Sequence, residues 1–190
     1  MPHYPKENPG DQITLAGSFN AAFIIMYAHA LGMLVFLRKD FGREGLGLAG
    51  LLTVFLILLW GCQTASFPML VFLLVWFAAV LCQRVNQFIN WQRGIRVHSR
   101  YSGFPFVSKR LFPWVSDLNA RGVDGFICLA VGGLLFQFDK PLGLFVAFGV
   151  FSILFVEGMS VETTKRKLQA MHDAEIEMQY LNNVRKTGRF

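Results

Sequence analysis

Charge is scarce in this chain and missing from its centre: the 39 residues from Gly45 to Gln83 contain no Asp, Glu, Lys, Arg or His. A soluble domain cannot bury so long a run. A bilayer core of about 30 Å, crossed by about 20 apolar helical residues, accommodates it as two short spans. Cysteine is also sparse, and Cys62, Cys82 and Cys128 sit in or beside apolar blocks without CxxC spacing. That excludes a disulfide framework and leaves them as small packing residues. No Asn-x-Ser/Thr sequon marks a glycosylated exterior. His3, His29, His98 and His172 are scattered, without the spacing that brings ligands onto one helical face, so neither a metal nor any other cofactor is expected. Acids are absent from inside the apolar blocks, which argues against a proton relay, and buried charges are not expected.

What the sequence does contain is further apolar length. Ile13–Leu37 has His29 as its one titratable side chain, and Gly125–Phe138 and Pro141–Val156 are parted by Asp139-Lys140. Ala28-His29-Ala30 has the look of a cleavage site, but a long leader carrying Lys6 against Glu7 and Asp11 departs from a signal peptide, so the first block is expected to be retained. The fold expected is an all-α integral membrane protein of about five short transmembrane or re-entrant helices, one N-terminal span plus two hairpins, followed by a cytoplasmic amphipathic C-terminal helix. The helices are placed near 13–37, 46–61, 67–97, 117–138 and 141–157. They form a membrane domain over 1–159, with a basic cytoplasmic loop at 84–122 and a tail at 160–190. The turn after the second helix follows from Gly61-Cys62-Gln63-Thr64-Ala65-Ser66-Phe67-Pro68, where proline and small polar residues replace the usual charges. Ser116 or Asp117 is expected to cap the helix of the second hairpin, and Ser160 the tail helix, with a Glu162–Arg166 pair at i,i+4.

Two surfaces stand out. On the first helix Gly17, Ala21, Ala28 and Gly32 fall within about 60° of one another, a stripe of small residues that lets two backbones approach closely. Asn20 and His29 flank it and are expected to hydrogen-bond between helices. In the basic loop, Arg93, Arg96, Arg100, Lys109 and Arg110 alternate with aromatic residues including Trp91 and Trp114. Cations and amphipathic rings in that mixture suit a headgroup layer or an acidic partner.

Sidedness follows from the basic residues. Placing 38–44, 84–122 and 157–190 on one side collects 16 of the 18 Lys and Arg there, leaving Lys6 and Lys140 opposite. The positive-inside bias then puts the N-terminus outside and the C-terminus in the cytoplasm, in a membrane expected to be a bacterial inner membrane. The same bias accounts for the net charge of +6, so no nucleic-acid partner is invoked.

Gly45-Leu46-Gly47-Leu48-Ala49-Gly50 spells the dinucleotide fingerprint but lacks the strand and βαβ context that make it one. No nucleophile and base are paired in sequence, so no catalytic residue is assigned and an enzyme is not expected. The expected function is that of a non-enzymatic membrane subunit, structural or assembly-related, whose partners are membrane lipids and other membrane subunits or further copies of itself. Two apolar hairpins separated by a basic stretch and followed by an amphipathic helix are similar in outline to reticulon-type hairpin proteins. That resemblance, one of architecture, implies membrane shaping. A subunit of an oligomeric channel or transporter is the third reading.

Overall fold

The computed structural model describes residues 9–42, 46–95 and 101–187, with side chains from Asn20 to Lys186. Six helices follow in order: α1 (Pro9–Leu37), α2 (Leu48–Thr64), α3 (Phe67–Gln92), α4 (Phe106–Leu111), α5 (Asp117–Leu135) and α6 (Lys140–Thr187). No strand occurs among the described residues, apart from an isolated antiparallel bridge between Lys39 and Phe104. By length and composition α1, α3, α5 and α6 can each cross a bilayer. The apolar α2, at 17 residues, is about 25 Å long at 1.5 Å per residue. The protein is therefore an all-helical chain with four to five helices fit to span a membrane.

The chain divides into two compact units, Met1–Val156 and Glu157–Phe190. In the first, α1 is the central element. Every residue from Ala30 to Val35 is buried, so this part of α1 is enclosed on all sides, as a helix at the middle of a bundle must be. Around it the core takes Ile57 of α2, Met69, Leu73 and Trp76 of α3, Cys128 of α5, and Phe145, Val146 and Ile153 of α6. The large side chains left outside, such as Leu74 and Leu81 of α3 and Phe126 and Leu134 of α5, are apolar. In a bilayer they face lipid tails, which solvate them as well as a core would.

Local chemistry explains the ends. The α2–α3 turn runs through Ala65 in the left-handed region (φ 48°), with Ser66 N–H bonding Gly61 O at 3.2 Å, and Pro68 opens α3 where its missing N–H costs nothing. Ser116 caps α5 by accepting from Asn119 N–H at 3.4 Å. α3 stops at Gln92 rather than near residue 97, because Gly94 takes φ +74° and turns the chain, the usual ending of a helix at glycine. The basic loop also contains a short helix the sequence analysis omitted. α4 fits between Pro105 and Pro113.

A second difference lies in α6, which runs unbroken through Ser160 to Thr187. Ser160 is helical and caps nothing. A cap needs a non-helical residue, whereas Gly158, the weakest helix former nearby, costs only about 1 kcal/mol relative to Ala and does not stop the helix. Thr163 and Thr164 donate back to Met159 O and Ser160 O at 2.7 and 2.9 Å, which leaves the helix intact. In the second unit Arg166 and Glu162 pair at 3.2 Å on an exposed face.

Candidate functional site

A buried cluster of charged and polar residues lies at the basic end of the membrane domain. α1 finishes at Leu37, and the next side chain, Arg38, turns inward instead of joining an exposed charged loop. Its Nε donates to Asp124 Oδ2 at 2.7 Å with both side chains fully buried. Nη1 and Nη2 reach Ser102 O and Arg121 O at 3.4 Å, and the other Asp124 oxygen accepts a short hydrogen bond from the buried Ser108 Oγ. A guanidinium taken from water needs most of its donors engaged, and here one carboxylate and two carbonyls engage them. The expectation of no buried charge is thus corrected. The apolar blocks stop short of these two residues, so composition placed each outside the bundle, while the fold brings them together inside.

The same residues fix the loop around them. Lys39 and Phe104 exchange backbone hydrogen bonds at 3.0 and 2.7 Å, and Gly42 N–H donates to Tyr101 O at 2.8 Å. This lays 38–42 alongside 101–104. Gly103 makes the approach possible: its φ is +87°, and a Cβ there would lie 2.9 Å from Arg38 Cβ. From the other flank α3 contributes three amides one turn apart. Gln83 Nε2 donates to Arg38 O and Val35 O at 2.7 and 3.2 Å, Gln87 Nε2 to Phe41 O and Gly42 O at 2.9 and 3.2 Å, and Asn90 Nδ2 to Asp40 Oδ1 at 2.7 Å. Val35 O, one of the carbonyls that α1 frees at its end, and three carbonyls of the loop that follows are thereby satisfied by side chains of a neighbouring helix. Lys39 sits over the Phe106 ring at 3.5 Å, tying α4 to the same platform.

Of the residues singled out in the basic loop, Lys109 is engaged, bonding Asp117 Oδ1 at 2.7 Å and Val115 O at 2.6 Å. Arg110 and Trp114 are exposed beside it in sequence, and Trp91 and Arg93 are exposed at the end of α3. Arg96 and Arg100 lie outside the described residues, as do Arg43 and Glu44.

On the first helix, Ala28 and Gly32 are buried, whereas Ala21 and Asn20 are exposed, and the side-chain region at Gly17 lies outside the description. The buried pair packs within the chain. A Cβ on Gly32 would meet Thr53 Cγ2 at 3.4 Å, and Thr53 Oγ1 donates to Ala28 O at 2.7 Å, so α1 and α2 touch backbone to side chain. His29 Nδ1 bonds Ser152 Oγ at 2.8 Å, joining α1 to α6. Ala28→Leu is expected to destabilise the domain by about 1–3 kcal/mol through overpacking, while Ile25→Leu, at a position 55% exposed, is expected to change nothing. Thermal unfolding in detergent reads the difference, and equal effects would remove the case for a tight face.

Sequence reasoning missed the Arg38–Asp124 pair, yet half of it was visible. On α5 the buried positions Ala120, Asp124, Gly125, Cys128 and Gly132 form one helical stripe, and an acid on a stripe of small residues is an acid facing inward. Its partner stands 86 residues away, where no local pattern points to it. Among the described residues no group of three His, Cys, Asp or Glu is placed to hold a metal. Of the dinucleotide-like glycines, Gly50 is buried against Trp76. Comparison with protein-family models, with curated proteins and with solved structures finds no match to this chain.

Proposed function

We propose that this chain is a non-enzymatic integral membrane subunit, a structural or assembly component of a larger membrane complex. The observation that carries the reading is the buried Arg38–Asp124–Ser108 cluster. It clamps 38–42, 101–104 and α4 to the end of the bundle, so that exposed Arg110, Leu111, Phe112 and Trp114 stand on a fixed base. A preordered basic and aromatic surface binds with less entropy loss than a free loop, and it suits an acidic subunit together with the lipid headgroups around it. The domain's strongly polar buried groups are spent on joining its own helices, which favours a scaffold over a reacting site. The central position of α1 also favours a bundle over the independent hairpins of a membrane-shaping protein.

Purification in mild detergent tests this reading. A stoichiometric complex is expected, weakened by salt and by Arg110→Ala with Trp114→Ala. A homo-oligomer that tubulates liposomes would establish shaping instead, and ion flux in liposomes a channel component.

The orientation proposed has the N-terminus outside and the C-terminus in the cytoplasm of a bacterial inner membrane, supported by the 16-to-2 division of basic residues. In a background without the three native cysteines, thiol reagents are expected to reach Gln63→Cys from outside intact cells. Arg110→Cys and Gln179→Cys should react only after the membrane is opened. Labelling of Arg110→Cys from outside would reverse the orientation.

A further inference from the structure

Two exposed surfaces of opposite charge lie in segments that the proposed orientation places in the cytoplasm. The first is the platform at α4, where Arg110 is exposed together with Leu111, Phe112 and Trp114, and the Phe112 and Trp114 rings meet edge to face at 5.7 Å. Its other cation is already used, because Lys109 is held by Asp117 and Val115 O. The second belongs to the part of α6 beyond Glu157. Residues 168–184 contain Asp173, Glu175 and Glu177 and no Lys or Arg. Within them Asp173, Ile176, Glu177 and Tyr180 follow the i, i+3, i+4, i+7 spacing of one helical face, and all four are exposed. We propose that this acidic face docks on the α4 platform of a second copy of the chain, with Asp173 and Glu177 meeting Arg110 while Ile176 and Tyr180 cover Phe112 and Trp114.

Charge decides the occupant. Acids elsewhere on that side are engaged within the chain, Asp40 with Asn90, Asp117 with Lys109, Asp124 with Arg38 and Glu162 with Arg166. Asp173, Glu175 and Glu177 have no such contact among the described residues. An anionic leaflet would cover the platform but repel this face, whereas a second copy brings each surface its complement. A lone helix in water also gains most of its stability by packing a face, and here Ile176, Met178 and Tyr180 are all exposed. In a two-fold pair each copy gives one helix face and receives one, so a single contact is used twice and the assembly closes.

The test is copurification of full-length chains that carry two different affinity tags, coexpressed and extracted in mild detergent. The two tags should travel together, and less so as salt rises. Arg110→Glu and Glu177→Lys, each paired with itself, should weaken copurification about tenfold by setting like charges against each other. Coexpressing the two variants should restore it, because one contact then joins the two reversed charges and the other keeps the native pair. Glu175→Lys, on the far side of the same helix, should leave association unchanged, which separates docking from a general effect of charge. All three positions are exposed, so the fold is not at stake. A chain that stays monomeric, no restoration on coexpression, or equal loss from Glu175→Lys and Glu177→Lys would overturn the proposal. The docking rests on α4 being the recognition surface already proposed, and the two fail separately: a different polypeptide retained by a monomeric chain through Arg110 and Trp114 would overturn the second copy and leave that reading standing.

Discussion

Replacing Arg38 by methionine is expected to destabilise the membrane domain by about 3–5 kcal/mol, because it leaves the Asp124 carboxylate buried without its counterion. Asp124→Leu should cost a similar amount by stranding the guanidinium. The double variant is expected to recover most of the loss, since a buried ion pair exchanged whole for apolar groups of similar size is often neutral or stabilising by about 1–4 kcal/mol. Unfolding of the four proteins in detergent, taken as a double-mutant cycle, gives the coupling directly. Additive losses would mean that the two residues act independently and that the 2.7 Å contact between them contributes little.

The same cycle distinguishes stability from the proposed role. Arg38 also holds Ser102 O and Arg121 O, and so fixes the segment that leads into α4. If the exposed surface at Arg110 and Trp114 depends on this clamp, the stable double variant should still purify without its partner. Recovery of both stability and partner would place the recognition surface elsewhere.

How much of this was legible in the sequence varies with the range of the forces involved. Helices and turns were largely readable, because uncharged length, Pro68, Ser116 and the Asp139-Lys140 break act within a few residues of themselves. Their exact ends were less so. Gly94 stops α3 through a left-handed backbone that any reading of glycine allows but none compels, and Gly158 leaves α6 unbroken although the same residue type ended α3. The difference is that Gly94 lies where the apolar face has run out, whereas Gly158 follows a helix face still packed at Val156 and Glu157.

The interior of the site was the least legible part. Hydropathy marks Arg38 and Asp124 as boundaries of apolar blocks, and a charge at a boundary normally faces water. Their burial is a tertiary event, made favourable by a partner 86 residues distant and by the loop that Gly103 allows to close over them. The amides Gln83, Gln87 and Asn90 fall where the uncharged run gives way to the basic loop, and hydropathy assigns them no inward face there. Their spacing along one helical face becomes meaningful only beside the end of α1 and the loop 38–42, whose acceptors they bond. His29 is the contrary case. A lone histidine inside an uncharged run can be reconciled with lipid only through a neighbouring helix, and Ser152 supplies that contact.

A close crossing of α5 and α6 yields the second large effect, and it sets two adjacent glycines against each other. Gly132 of α5 is buried where α6 passes: a Cβ there would lie 2.7 Å from Ala147 Cα and 2.8 Å from Ala147 Cβ, and closer still to the Ala147 backbone nitrogen. The neighbour Gly133 is exposed, and a Cβ there would meet nothing within 4 Å. Both are helical, so alanine at either position should gain about 1 kcal/mol of helix propensity. At Gly133 that gain stands alone, and Gly133→Ala is expected to raise the unfolding temperature slightly. At Gly132 the added methyl collides with backbone, which has no rotamer to move into, so α5 and α6 must separate along the hairpin. Overpacking of this kind costs about 1–3 kcal/mol and sometimes more, which outweighs the propensity gain. Gly132→Ala is therefore expected to lower stability and Gly132→Leu to prevent the hairpin from closing, as seen by unfolding in detergent and by loss of a Gly125→Cys–Val150→Cys crosslink between the two helices. A Gly132→Ala protein as stable as Gly133→Ala would show that the helices do not approach this closely and that the small residues on α5 serve some other purpose.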